Sequence, residues 1–247
     1  MLAVRLYPDG LKVEEIATPS PGPGETLVRV QAAAITRDEL DWPTDRLPAI
    51  PSYELAGVAV ESGEEVYALT PFDRDGVAAE YAVVPAAVLA PRPRRLGPVE
   101  AAALPMGGLT AWQALFDHGH LEPGERVLVT GPAGGVGHLA VQLARSAGAE
   151  VVDAGPADVV FDTAGGDLPP GGRVVTVAAE APGATYFVVA PNRDQLVELA
   201  RLADAGALRP EIDSTFPLER ASEAFDRVAA RGKRGKVVLD VGGSRPG

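Results

Sequence analysis

The stretch Arg126-Val-Leu-Val-Thr-Gly-Pro-Ala-Gly-Gly-Val-Gly-His-Leu-Ala-Val-Gln-Leu-Ala-Arg-Ser-Ala-Gly148 decides how the chain is read. Val127 to Val129 is a short apolar run of the kind that forms a buried strand, and it leads into a turn carrying Gly131, Gly134, Gly135 and Gly137. Val136, Leu139, Ala140, Leu143 and Ala144 then fall at roughly i, i+3, i+4, i+7 and i+8, one face of a helix. Glycines let the backbone approach a pyrophosphate, and a helix N-terminus turns free N–H groups and a positive dipole end toward it. A tight strand-to-helix turn needs glycine for steric reasons alone. The full strand, turn and helix together point to a nucleotide, resting on Gly134, Gly135 and Val136.

Working outward, Val159 to Phe161, Arg173 to Val177 and Tyr186 to Val189 are continuous apolar runs, as in parallel strands covered on both faces. Asn192 to Ala205 reads as an amphipathic helix with Leu196, Leu199, Ala200 and Ala203 on one side. The tail has a helix from Leu218 to Ala230, a basic turn and a strand from Lys236 to Val241. Upstream, residues 1 to about 90 are β-rich. Short runs (Leu27 to Val30, Gly57 to Glu61, Glu65 to Leu69, Ala79 to Val84) alternate with turn clusters such as Pro71-Phe-Asp-Arg-Asp-Gly76. Val99 to Leu104 and Thr110 to His118 read as helices, with Thr110 a candidate cap for the second. The fold class is α/β: a β-rich domain joined to a parallel-sheet domain.

The 247 residues suit one large domain or two modest ones. A net charge of −12 argues against nucleic-acid backbones and anionic membranes, which select basic surfaces. There is no cysteine, so disulfides and thiolate metal sites are excluded. The opening Met1-Leu-Ala-Val-Arg-Leu-Tyr-Pro8 carries no signal-peptide pattern, and every apolar run stops well short of the ~18 residues of a membrane span. A cytoplasmic, soluble protein is expected.

Several segments together resemble a known family. They are Gly22-Pro-Gly-Glu-Thr-Leu-Val-Arg-Val30, Glu80-Tyr-Ala-Val-Val84, Glu100-Ala-Ala-Ala-Leu-Pro-Met-Gly-Gly-Leu-Thr-Ala-Trp-Gln-Ala-Leu115, the glycine turn, Val160-Phe-Asp-Thr-Ala-Gly-Gly166 and Arg234-Gly-Lys-Val-Val-Leu239. The chain resembles a zinc-free, quinone-oxidoreductase-like member of the medium-chain dehydrogenase/reductase superfamily, over nearly its whole length. The resemblance implies a GroES-like catalytic domain (1–90 and 208–247) and a Rossmann-type cofactor domain (91–207). It also implies NADPH-dependent reduction of a conjugated carbonyl or quinone, usually by a homodimer, with NADH the other coenzyme to be considered. Zinc-dependent relatives hold their metal with Cys and His; Thr36 and Tyr53 stand at those positions here, and His118, His120 and His138 lie far from the pattern, so no metal site is expected.

The chain is short for that family, whose members usually exceed 300 residues. The Val60–Glu64 loop is cut, and the Gly165–Gly172 link lacks a helix. A Rossmann fold places a helix, an edge strand and another helix between its second and fourth strands, yet only Asp153-Ala-Gly-Pro-Ala-Asp158 separates Val152 from Val159. A return along a full strand's length is roughly 18 Å, against roughly 20 Å for six extended residues, with another strand in the way. A left-handed crossover, a hairpin around Asp153–Pro156, exchange with a second subunit, and a remodelled or truncated sheet edge are the options, of which the last is favoured. The adenosine end of a coenzyme should then be exposed. Asp153 would repel a 2′-phosphate and favour NADH, unless it only caps a turn.

Tyr53 is the leading catalytic candidate, because a neutral phenol can donate a proton or hydrogen bond to a carbonyl; an aromatic cleft wall is its plainer reading. Thr36 replaces a residue that by resemblance faces the nicotinamide, and is a candidate to hydrogen-bond the substrate. Asp38, Glu39 and Asp41, close together with Arg37, form either a solvated acidic loop or a substrate-binding group supplying a base, and Trp42 lines a hydrophobic pocket or anchors the loop. Glu54 resembles a buried acid that organises the cleft. Thr110 and Asp162 resemble nicotinamide-side contacts, and Lys236 resembles a cofactor contact, against a surface lysine. Three readings stand: a metal-free NAD(P)H-dependent reductase, a coenzyme-free cyclase, dehydratase or isomerase built on the same cleft, and a non-catalytic binding relative.

Overall fold

The computed structural model describes residues 1–42, 46–167 and 171–243, so Leu168, Pro169 and Pro170 of the Gly165–Gly172 link lie outside it. The first half forms strands β1 (Leu2–Tyr7), β2 (Gly10–Glu15), β3 (Glu25–Ile35), β4 (Glu54–Ala59), β5 (Glu65–Leu69), β6 (Tyr81–Pro85) and β7 (Ala90–Pro91). Helices α1 (Pro98–Ala102) and α2 (Pro105–Trp112) follow, α2 running on into a π-turn, Gln113–His118. Next come β8 (Arg126–Val129), α3 (Gly137–Ser146), β9 (Glu150–Val152), β10 (Val159–Asp162), β11 (Arg173–Thr176), β12 (Thr185–Tyr186) and α4 (Arg193–Asp204). The chain closes with β13 (Ile212–Pro217), α5 (Ala221–Ala229) and β14 (Lys236–Asp240).

Two sheets carry the architecture. One has the order β13-β14-β3-β4-β5-β7, with β6 also on β3, so the last two strands of the chain join those of its first hundred residues. The other has the order β12-β11-β10-β8-β9, parallel at every pairing. Between them runs one apolar core that includes Tyr67 and Leu69 of β5, Leu104 and Leu109, Leu139 and Leu143 of α3, Phe161 of β10, and Leu196 and Leu199 of α4. The Tyr67 hydroxyl donates to the Leu196 carbonyl at 2.5 Å, satisfying its one polar atom inside that core.

One helix reading and one strand reading need correction. Thr110 is no cap: it lies inside α2, whose first helical residue is Pro105, and its hydroxyl donates to the Met106 carbonyl at 2.6 Å. Proline suits a first helical turn because that N–H has no intrahelical partner. In the run Tyr186 to Val189, only Thr185–Tyr186 pairs as strand. By contrast α4 begins where the sequence says, with the Asn192 side chain accepting from the Gln195 N–H at 3.1 Å.

The parallel sheet is truncated at its β9 edge, as favoured, and the β9-to-β10 connection is a direct crossover between parallel strands rather than a hairpin. Val152 stands level with Leu128, and Val159 level with Val127, so the chain steps back by a single residue, about 3.3 Å, rather than a strand's length. The sideways step over β8 is roughly 10 Å, within reach of six residues. The short strands remove the difficulty. Ala157 is buried against Leu128, Val152 and Val160, which places the crossing on the face opposite α3. It moves in the opposite direction to the α3 connection and over the opposite face, so it has the same hand. Asp158 fastens the landing: its N–H donates to the Arg126 carbonyl and its carboxylate accepts from the Arg126 N–H, both at 2.8 Å.

Candidate active site

The glycine turn sits at the C-terminal end of the parallel sheet, ahead of α3. A Cβ on Gly137 would lie 2.2 Å from the Gly131 carbonyl oxygen, so that position is glycine for packing. A Cβ on Gly134 would meet only the Gly131 oxygen, at 3.3 Å, so its backbone is open to an approaching group. The N–H groups of Gly135 and Val136 make no hydrogen bond among the described residues. These free donors at the start of a ten-residue helix suit a pyrophosphate.

Lys236 connects this turn to the other sheet. It is 5% exposed, not a surface lysine, and its Cδ lies 3.1 Å from where a Cβ on Gly135 would be. Its ammonium pairs with the Glu54 carboxylate and donates to Thr36 Oγ1 at 3.1 Å. The other Glu54 oxygen accepts the Met106 N–H at 2.9 Å, in the first turn of α2. Glu54 is fully buried; burial pushes its carboxyl up, and the Lys236 ammonium opposes that. Lys233 is held below its ordinary range by burial and by the charges of Lys236 and Arg37. Lys233 is missing from the sequence reading, which took Arg37 only as part of the acidic loop. In a chain of net charge −12, cations placed next to Thr36 and next to Lys236 were the available signal.

Glu39 does not face a substrate. It is 6% exposed, and its two oxygens accept the N–H groups of Thr36 and Ser52, each at 3.0 Å. It thereby fixes both residues at the former metal-ligand positions, Thr36 directly and Tyr53 through its neighbour Ser52, whose φ is +66°. Burial drives its carboxyl up to about 8, against the pull of those N–H groups and of Lys236. Asp41 is exposed and its side chain makes no hydrogen bond among the described residues, so nothing directs it at the cleft.

Tyr53 is half-buried in a trio of aromatics. Its ring stacks on Trp42 (centroids 5.8 Å) and meets Phe72 edge-on (5.2 Å), while Trp42 and Phe72 are 5.4 Å apart. Phe72 was not foreseen. The Tyr53 hydroxyl has no hydrogen-bond partner among the described residues, and burial, then the Glu39 charge, raise its pKa. It is a neutral donor aimed at no protein group.

Two coenzyme-side candidates are saturated. Asp162 lies at the C-terminal end of β10 as expected, but its carboxylate accepts from Thr130 Oγ1 (2.6 Å), Thr176 Oγ1 (2.9 Å) and the N–H groups of Ala164 and Gly165. Burial works to raise its pKa, yet these bonds outweigh burial and hold it below the usual range. Its work is to tie together the loops after β8, β10 and β11. Thr110, bonded to Met106, likewise has its hydroxyl hydrogen committed. Asp153 is exposed just after β9, and its side chain caps no turn.

Comparison with known proteins fits this geometry. Residues 138–239 match the family described as "Zinc-binding dehydrogenase". A "Probable zinc-binding oxidoreductase, mitochondrial" from Arthroderma benhamiae is 30% identical over 302 aligned positions, covering 90% of this chain and 91% of the relative. The chain belongs to the medium-chain dehydrogenase/reductase family, in its quinone-oxidoreductase-like branch. It is an oxidoreductase. An alignment longer than 247 residues means that the shortening is internal. An Arabidopsis thaliana "NADPH-dependent alkenal/one oxidoreductase, chloroplastic" is 31% identical over 94% of this chain and 76% of the relative. The Thermus thermophilus quinone oxidoreductase, solved also in complex with NADPH, superposes with a TM-score of 0.82 at 30% identity, covering 98% and 100% of the two chains. Among the described residues no helix is long and apolar enough to cross a membrane.

The family description names zinc, but the residues here do not fit it. The former ligand positions hold a threonine hydroxyl and a phenol, and the Lys236 ammonium stands 3.1 Å from the former. A dication there would meet a fixed positive charge and no thiolate or imidazole. A dinucleotide does fit, through the free N–H groups of Gly135 and Val136, with the Lys236 stem packed beside Gly135.

Proposed function

We propose that the protein is a metal-free, NAD(P)H-dependent reductase of a conjugated carbonyl, enoyl or quinone compound. The observation that carries this reading is the continuity of the site. Lys236 touches both the glycine turn and the Thr36–Glu54 pair, and Tyr53 directly precedes Glu54. A dinucleotide with its pyrophosphate on Gly134–Val136 would therefore run toward the aromatic trio.

When bound, the nicotinamide supplies a hydride to the electron-poor carbon of the substrate. Everything else falls to the chain. Trp42, Tyr53 and Phe72 present ring faces and edges to a flat conjugated substrate and exclude water from it. The Tyr53 hydroxyl donates to the carbonyl oxygen, which gains negative charge as the hydride arrives. Tyr53 or a water then delivers one proton, and solvent returns it, so hydride plus proton saturate the bond. Glu39 holds the Thr36 and Ser52 backbones against movement during this step.

The test is titration with both coenzymes, followed by oxidation of NADPH with an alkenal or a quinone as acceptor. Tyr53→Phe should lower kcat by about a hundredfold or more, as loss of a general acid does, with coenzyme affinity unchanged. Activity on a substrate with no coenzyme bound would favour the cyclase, dehydratase or isomerase reading. We also propose a cytoplasmic homodimer joined along β12, where Tyr186 (40%) and Val188 (64%) are exposed apolar residues at a sheet edge. A monomer at micromolar concentration by light scattering would refute the dimer.

A further inference from the structure

The parallel sheet ends at β9. A further right-handed crossover beyond it would lay its helix beside α3, on the face that carries Val127 and Val129. In place of that helix there is a groove of about 1520 Å³, walled by α3, by Val151 to Gly155, and by the segment Arg209–Asp213. At its upper end it opens onto Thr130, Gly131 and Pro132 of the glycine turn. The segment wall is firmly placed. Gln142 of α3 accepts the Arg209 N–H at 2.8 Å and donates to the Arg209 carbonyl at 3.0 Å, and His138 Nε2 accepts the Glu211 N–H at 2.9 Å.

The charges in this groove differ from those of the chain as a whole. Three guanidiniums line it, Arg145, Arg209 and Arg234, against the carboxylates Asp153, Glu211 and Asp213. Asp213 is already taken by Arg227, which donates to both of its oxygens at 2.7 and 2.6 Å. Glu211 faces Arg234 at 4.0 Å. Arg145 and Arg209 have no carboxylate partner among the described residues, in a protein with 34 acidic and 22 basic side chains. Asp153 is one exposed carboxylate on the rim.

We propose that this groove receives the adenosine end of the coenzyme and that Arg209 and Arg145 contact its 2′-phosphate. The inference rests on the coenzyme reading above and deepens it. A dinucleotide anchored by its pyrophosphate at the glycine turn directs its adenosine half toward the end of the second strand, here β9. The groove begins at that point. Phosphate recognition thus moves from the missing crossover to the helix α3 and the return segment. Selectivity then reverses the sequence expectation: the two arginines outweigh Asp153, and NADPH is preferred.

Calorimetric titration of the whole protein with NADPH, NADH, 2′,5′-ADP and 5′-AMP tests this. The expected result is tighter binding of NADPH than NADH and of 2′,5′-ADP than 5′-AMP, each by roughly ten- to a hundredfold. Arg209→Gln and Arg145→Gln should each reduce that ratio severalfold or more while leaving NADH and 5′-AMP unchanged. Both side chains are exposed, so the variants should melt with the parent. Equal affinity for the two coenzymes, or a 2′-phosphate preference untouched by both substitutions, overturns the groove assignment alone. Failure of both coenzymes to bind overturns the coenzyme reading with it.

Discussion

Replacing Lys236 by methionine removes the ammonium that pairs with Glu54 and leaves a fully buried carboxylate with, among the described residues, the Met106 N–H and the Thr36 hydroxyl. Breaking a buried pair by deleting one partner costs about 3–5 kcal/mol, because the remaining charge is uncompensated. For a chain of this size each kcal/mol moves the melting temperature by roughly 2–4 °C, so Lys236→Met should melt some 6–20 °C lower near neutral pH. The size of the effect depends on pH with a definite sign. Burial already raises the Glu54 carboxyl, and without Lys236 it rises further. A raised carboxyl binds more protons when folded than when unfolded, so stability in the variant falls as pH rises above the ordinary carboxylate range. The deficit should therefore shrink on acidification toward pH 5. Adding Glu54→Gln to Lys236→Met should recover most of the loss, since the amide oxygen still accepts the Met106 N–H and no charge remains. The assay is calorimetry of parent, single and double variants at pH 5 and 8. A single variant within about 1 kcal/mol of the parent at pH 8, or a double variant no better than the single, would refute the account of this pair.

Three further outcomes follow from the same structure. Glu39, raised to about 8, contributes stability that is present below the ordinary carboxylate pKa and lost as pH rises to about 8; Glu39→Gln should flatten that slope, which spans about 3–5 kcal/mol by urea unfolding. Gly134→Ala should lose coenzyme binding and melt less far below the parent than Gly137→Ala, since its Cβ meets a single backbone oxygen at 3.3 Å whereas that of Gly137 lies 2.2 Å from one; equal melting of the two would count against this. Asp162→Asn should destabilise by about 2–4 kcal/mol, because an amide cannot accept all four of the carboxylate's hydrogen bonds, and an unchanged denaturation midpoint would show those bonds to be dispensable.

The glycine turn, α3 and α4 were legible because their signals are local: apolar period, cap and turn chemistry lie within a dozen residues. Thr110 misled because α2 is buried on every side and has no amphipathic stripe to mark its start; the better sign was Pro105. The β9–β10 connection misled for a different reason. Its length was counted correctly, but its span was reckoned from full strands, and three- and four-residue strands cannot be seen in an apolar run. In the site, Tyr53 and Thr36 were legible by resemblance. Glu39 was misplaced because three acids in four positions look alike until one side chain turns inward. Lys233 was missed, and Arg37 was read only with its acidic neighbours, because nearly 200 residues of chain separate the two and no local pattern ties them together.

The six-residue crossover also changes how costly it is to assemble the parallel sheet. Bringing β10 beside β8 closes a short loop, where two helical crossovers and an edge strand would close a connection of roughly fifty residues. On the logarithmic scaling of loop closure, the difference is about 2 kcal/mol in the entropy that must be lost before the β8–β10 contacts form. Against this, the face bearing Leu128 and Val160 has Ala157 in place of a helix, and so a smaller apolar burial. The sheet trades cover on one face for a shorter tether, and its central pair of strands should form early in folding, ahead of the distant joining of β14 to β3.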